Sequence, residues 1–158
     1  MASVELTING VRRTVDAAPG ETLLEVLRRE GYTGVKRGCG SGDCGACTVL
    51  LDGRAVNACL VLAAKANGKE ILTIEGLASG DALHPIQEAF LDEGAVQCGY
   101  CTPGMILSAY DLLSRNPTPS EGEIRQAISG NLCRCTGYVK QVRAIQAAAE
   151  RMRSARHE

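Results

Sequence analysis

The sequence predicts an α+β protein in two parts, a small twisted sheet crossed by one helix and then a small bundle of four helices. Three observations carry this. Residues up to Leu77 alternate strand and hairpin signals around one capped helix; residues beyond it read as helices broken by proline and glycine; and eight cysteines fall into two sets of four, one set per part. The expected division is 1–77 and 78–158, at a Gly-, Ala- and Ser-containing stretch from Gly76 to Asp81 that reads as a linker.

In the first part, Val4, Leu6 and Ile8 alternate with polar residues, as in a half-buried strand. Asn9-Gly10 offers a hairpin turn, and Val11 to Val15 returns as a second strand. Thr22 and Glu25 form a capping-box pair ahead of Leu23, Leu24, Val26 and Leu27, and Gly31 stops that helix. Thr48–Leu51 and Arg54–Asn57 flank Asp52-Gly53, a second hairpin signal. The apolar run Leu60-Val61-Leu62-Ala63-Ala64 predicts a short helix starting at Cys59 and ending at Asn67-Gly68, before a strand from Ile71 to Ile74.

The second part begins with a helix over His84 to Leu91, with Pro85 in its first turn. Thr102-Pro103 opens the next, which places Met105, Ile106, Tyr110 and Leu113 on one apolar side. Pro117 and Pro119 interrupt the chain before a second capping box, Ser120 with Glu123, and the apolar Ile124, Ala127 and Ile128. Val139, Val142 and Ile145 then recur at helical spacing.

Composition excludes several functions. The 158 residues can bury a sizeable core, and a net charge of −1 gives no attraction to nucleic acid or an anionic membrane. No apolar run approaches bilayer-spanning length. Only Tyr32, Phe90, Tyr100, Tyr110 and Tyr138 are aromatic, too few for a base-stacking platform. The opening residues carry neither a basic n-region nor an apolar h-region, so a cytoplasmic protein is expected.

The cysteines carry the chemistry. Cys39, Cys44 and Cys47 read C-x4-C-x2-C, the plant-type 2Fe–2S arrangement, and Cys59 follows after a gap of eleven residues. Gly38, Gly40, Gly42 and Gly45 allow the tight backbone that brings thiolates together and aims N–H groups at sulfur. Placed at a helix start, Cys59 would be easily deprotonated. The second set pairs Cys98-Gly99-Tyr100-Cys101 with Cys133-Arg134-Cys135. Neither set has the C-x2-C-x2-C run of a bacterial 4Fe–4S site, so two 2Fe–2S clusters are the better count. Structural zinc remains an alternative, although C-x4-C with C-x-C fits zinc ribbons poorly. Disulfides remain another, against the cytoplasmic reading. Free buried cysteines would not gather in glycine-rich loops.

Three long segments resemble a known family. Gly38-Cys39-Gly40-Ser41-Gly42-Asp43-Cys44-Gly45-Ala46-Cys47-Thr48-Val49, Gln97-Cys98-Gly99-Tyr100-Cys101-Thr102-Pro103-Gly104-Met105 and Gly130-Asn131-Leu132-Cys133-Arg134-Cys135-Thr136-Gly137-Tyr138 are similar to the iron–sulfur subunit of molybdenum hydroxylases. These include xanthine dehydrogenase, aldehyde oxidoreductase and aerobic carbon monoxide dehydrogenase. The likeness spans nearly the whole chain and departs at no ligand position.

The resemblance implies an N-terminal β-grasp, ferredoxin-like domain and a C-terminal four-helix bundle. It implies two 2Fe–2S clusters, with Cys98, Cys101, Cys133 and Cys135 holding the one nearer molybdenum and Cys39, Cys44, Cys47 and Cys59 the one on the flavin side. Gln97 and Cys135 would lie beside the pterin. The partners implied are a large molybdopterin-binding subunit and a medium FAD-binding subunit, in a heterotrimer or its dimer. Electrons would pass from the molybdenum centre through both clusters to FAD or another acceptor.

Other signals have plainer explanations. Gly40-Ser41-Gly42-Asp43-Cys44-Gly45 matches a dinucleotide fingerprint, but it follows Lys36-Arg37-Gly38 rather than an apolar strand and has no acidic residue about twenty positions on. Arg134 and Lys36-Arg37 stand beside proposed ligands, where solvation or pairing with a partner is the commoner role. His84 and His157 are too isolated to form a metal pair. The alternative function is a free-standing two-cluster ferredoxin, for which a strongly one-signed surface would be expected. A zinc-stabilised interaction module would be colourless.

Overall fold

The structure, a computed structural model, describes residues 1–155; His157 lies outside them. Five strands form one mixed sheet in the order β2-β1-β5-β3-β4: β1 (Ala2–Ile8), β2 (Val11–Ala17), β3 (Thr48–Leu51), β4 (Arg54–Asn57) and β5 (Lys69–Leu72). β5 lies in the centre, parallel to β1 and antiparallel to β3, with the β1–β2 hairpin on one side and the β3–β4 hairpin on the other. Both hairpin turns have the expected residues, Asn9-Gly10 and Asp52-Gly53, with all four at positive φ. That is the geometry of a type I′ turn, whose twist matches the strands it joins.

Helix α1 (Leu23–Arg29) crosses the sheet. Thr22 and Glu25 close the expected capping box, and Leu23, Leu24, Val26 and Leu27 are all buried against Val4, Leu6, Ile8 and Val49. The helix predicted from Cys59 is absent. Two single 3-10 turns, Ala58–Leu60 and Ala63–Ala66, stand there instead, with Val61 and Leu62 extended between them. The reason is tertiary: the N–H of Leu23 donates to the Val61 carbonyl, and the N–H of Ala63 donates to that of Glu21. This backbone is committed to pairing with the start of α1, which a continuous helix would forbid. The last strand is also displaced, ending at Leu72, and Ile74–Gly76 forms a 3-10 turn.

Four helices follow: α2 (Pro85–Asp92), α3 (Thr102–Arg115), α4 (Glu121–Ala127) and α5 (Val139–Ser154). Ile86 and Phe90 of α2, Met105 and Leu113 of α3, Ile124 of α4 and Ile145 of α5 share a second apolar core. His84 caps α2 through Nδ1, which accepts from the N–H of Ile86. Ser120 and Glu123 close the box on α4. The N–H and hydroxyl of Ser120 hold the Glu123 carboxyl below its ordinary value. The stabilisation from this cap is complete above the ordinary carboxylate pKa and is lost as pH falls through the depressed one. Thr22→Ala and Ser120→Ala are each expected to lower unfolding free energy by about 1 kcal/mol, read from urea denaturation at neutral pH. The expected Gly76–Asp81 linker is not a loose tether. Ser79 and Ala82 exchange backbone hydrogen bonds, and Leu77 packs on the helical core.

The two parts meet along α3. Leu107 on α3 and Leu50 on β3 are both buried, and the Asp111 carboxylate accepts from the N–H of Ala55 at 3.2 Å while pairing with Arg54 and Arg115. At the first turn of α3, Gly104 lies against the carbonyl of Gly45, so closely that an added Cβ would overlap it. Gly104→Ala must therefore push the helix off the cysteine loop. An overpacking cost of about 1–3 kcal/mol is expected, seen as a lower urea midpoint.

Candidate metal centres

The first cysteine set is built from the loop joining α1 to β3 and from the 3-10 turn after β4. Backbone N–H groups converge on its sulfurs. Cys39 Sγ accepts from Ser41 at 3.4 Å, Asp43 at 3.3 Å and Cys44 at 3.4 Å, and Cys44 Sγ accepts from Cys39 at 3.3 Å and Ala46 at 3.5 Å. The Ser41 hydroxyl and N–H, with the N–H of Cys44, draw the Cys39 thiol down to about 6. Cys47 and Cys59 form a second, buried pair, and burial pushes the Cys47 thiol up to about 11. Cys59 sits in a three-residue 3-10 turn, not at the expected helix start.

The second set joins the α2–α3 loop to the α4–α5 loop. Here too the sulfurs come in pairs. Cys98 and Cys135 stand 3.5 Å apart at the surface, and Cys101 lies against Cys133 further in. The N–H of Tyr100 lowers the Cys98 thiol, while burial pushes Cys101 up to about 12. Among the described residues no three Cys, His, Asp or Glu side chains converge on a point that would hold a single ion. Two pairs of thiols per set suit a different object, a dinuclear cluster in which each iron takes two thiolates. N–H donors aimed at sulfur also suit bound thiolates, whose negative charge they offset.

Gln97 is exposed at the rim beside Cys98, at the same end as the exposed Cys135. Arg134 is exposed as well. The glycine-rich segment that matched a dinucleotide fingerprint opens no helix; it is the cysteine loop itself.

Several residues around the sites tie the cysteine loops in place. Asn131 is buried between the two parts: its Nδ2 donates to the Gly45 carbonyl at 3.2 Å and to Thr48 Oγ1 at 3.3 Å, and its Oδ1 accepts from the Ser108 hydroxyl at 2.7 Å. The next residue, Leu132, donates its N–H to the carbonyl of Cys44 at 2.9 Å. The Tyr100 hydroxyl reaches back to the Arg37 carbonyl. Tyr138 adopts φ +69°, unusual for a bulky residue, and its hydroxyl accepts from the N–H of Cys133 at 2.8 Å. A Gly-Asn-Leu ahead of C-x-C was the one available hint of Asn131.

A ferredoxin-like sheet and a helical part, each carrying two cysteine pairs, define a two-cluster iron–sulfur protein. Comparison with known proteins agrees: residues 6–73 match the 2Fe-2S iron-sulfur cluster binding domain and residues 73–146 the 2Fe-2S binding domain. The chain belongs to the iron–sulfur small subunits of the molybdenum hydroxylase family. It is 49 % identical over 150 residues to the nicotinate dehydrogenase small FeS subunit of Eubacterium barkeri, covering 94 % of this chain and 96 % of that one. It is 50 % identical over 145 residues to the xanthine dehydrogenase iron-sulfur-binding subunit of Escherichia coli O157:H7, covering 90 % and 91 %. Among solved structures, quinoline 2-oxidoreductase from Pseudomonas putida 86 superposes with a TM-score of 0.93 at 45 % identity, over 97 % of this chain and 96 % of that chain.

Proposed function

We propose that this chain is the electron-transfer subunit of a molybdenum-dependent hydroxylase or dehydrogenase, with Cys39, Cys44, Cys47 and Cys59 holding one 2Fe–2S cluster and Cys98, Cys101, Cys133 and Cys135 the other. The observation that carries this is the resolution of each cysteine set into two close pairs. Residues 1–77 then act as a β-grasp domain and 78–158 as a four-helix bundle. When bound, such clusters take up and release single electrons, which divides two-electron chemistry into steps that an acceptor can follow.

What the chain itself contributes is position and charge. Thr48, Asn131 and Gly104 clamp the two cysteine loops together across the boundary between the parts. The bond from Leu132 N–H to the Cys44 carbonyl joins a neighbour of Cys133 directly to a ligand of the other set. It supplies a route of covalent bonds and one hydrogen bond between the two centres. The exposed Cys98 and Cys135, with Gln97 beside them, face outward toward a large subunit carrying the molybdopterin cofactor. The exposed Cys39 faces a medium subunit carrying FAD, in a heterotrimer or its dimer. Relatives named as subunits of nicotinate and xanthine dehydrogenases support a place in such a complex, and we assign it to the cytoplasm.

Anaerobic titration with dithionite tests the reading. The visible absorbance should bleach with about two electrons per chain, one for each cluster. A colourless protein, or one taking up a single electron, would rule it out.

A further inference from the structure

Thr136 and Gln141 surround Cys133 in an arrangement that packing alone does not explain. Gln141 is fully buried. A carbonyl can only accept a hydrogen bond, so the amide nitrogen of Gln141 must be the end facing Ala95 O, at 3.2 Å. Its other N–H meets the hydroxyl oxygen of Thr136, and the nitrogen lies 3.9 Å from Cys133 Sγ. The same hydroxyl oxygen accepts from the N–H of Tyr138 at 3.4 Å. Both lone pairs of Thr136 Oγ1 are thereby taken. A hydroxyl has a single proton to give, and Cys133 Sγ lies 3.0 Å away.

Gln141 also carries a cost. Its Oε1 is buried without a hydrogen-bond partner, the one such side-chain atom among the described residues. An apolar residue there would avoid that cost but strip the Ala95 carbonyl of its donor; that carbonyl needs only one of the two amide N–H groups, and the second is committed to Thr136. We infer that Gln141 is a positioning residue that forces the Thr136 hydroxyl to donate to Cys133, and that this donation raises the reduction potential of the cluster held by the second cysteine set. Hydrogen bonds to ligand sulfur favour the more negative, reduced cluster. The inference rests on the two-cluster reading above.

Potentiometric titration of the holoprotein, followed by electron paramagnetic resonance of each reduced cluster, tests it. Two separable signals in the unaltered protein establish the reading on which the inference rests; their absence would remove that reading and the inference with it. Thr136→Val is expected to shift one signal downward by a tenfold change in the ratio of reduced to oxidised cluster, 59 mV for a one-electron couple, and to leave the other in place. Thr136→Ser keeps the hydroxyl and should restore the original potential. Gln141→Leu should move the same signal downward by less, with little change in melting temperature, because it removes the orphaned oxygen and also the donor to the Ala95 carbonyl. If Thr136→Val fails to load its cluster, Gln141→Leu decides. A Thr136→Val protein with both clusters and unshifted potentials overturns the inference. So does a Gln141→Leu protein that loses stability without a change in potential, which would mark the glutamine as structural.

Discussion

Cys135→Ser is expected to remove one of two electron paramagnetic resonance signals and to lower bound iron from about four to about two atoms per chain. The physical reason is local. On the proposed assignment Cys135 shares an iron with Cys98, whose sulfur lies 3.5 Å away, and a hydroxyl is a far poorer ligand for iron than a thiolate. The other set is built on separate loops and a separate apolar core, so Cys39, Cys44, Cys47 and Cys59 should keep their cluster. Turnover of the assembled complex should stop, since the proposed route brings electrons in at the exposed Cys98–Cys135 pair. Loss of both signals together would show that the two parts form their centres as one unit, against the assignment of one cluster to each.

Asn131→Ala should destabilise the chain strongly for a substitution outside the ligands. It deletes three buried hydrogen bonds, to Gly45 O, Thr48 Oγ1 and Ser108 Oγ. At about 1 kcal/mol each the loss is about 3 kcal/mol, which for a chain of this size lowers the melting temperature by roughly 6–12 °C. The Gly45 carbonyl keeps donors in the N–H and hydroxyl of Thr48, so the greater harm falls on the Ser108 hydroxyl, left buried without its acceptor. Asn131→Asp should cost at least as much, because it turns a buried carboxylate oxygen toward the Gly45 carbonyl in place of a donor. Calorimetry of the iron-loaded protein measures both. A melting temperature unchanged by Asn131→Ala would reduce the contact to an incidental one.

Local rules made much of this fold legible. The capping boxes Thr22/Glu25 and Ser120/Glu123 mark two helix starts, and Asn9-Gly10 and Asp52-Gly53 mark the hairpins, because each depends on residues within four positions of one another. The segment after β4 misleads for the opposite reason. Leu60 to Ala64 has helical composition, yet the carbonyl of Val61 and the N–H of Ala63 are claimed by residues some forty positions earlier. Cysteine spacing picks out eight candidate ligands but not which sulfur stands beside which, since that depends on how distant loops meet. Asn131 and Gly45 lie 86 positions apart, and no periodicity links them. Gln141 falls within an amphipathic helix and gives no sign in the sequence that its amide reaches a cysteine loop.

The most direct test is low-temperature electron paramagnetic resonance of the anaerobically purified, dithionite-reduced protein, with iron and acid-labile sulfide quantified on the same sample. The account predicts two distinct spin-half signals and about four irons with about four sulfides per chain. A silent spectrum with zinc in place of iron would contradict it.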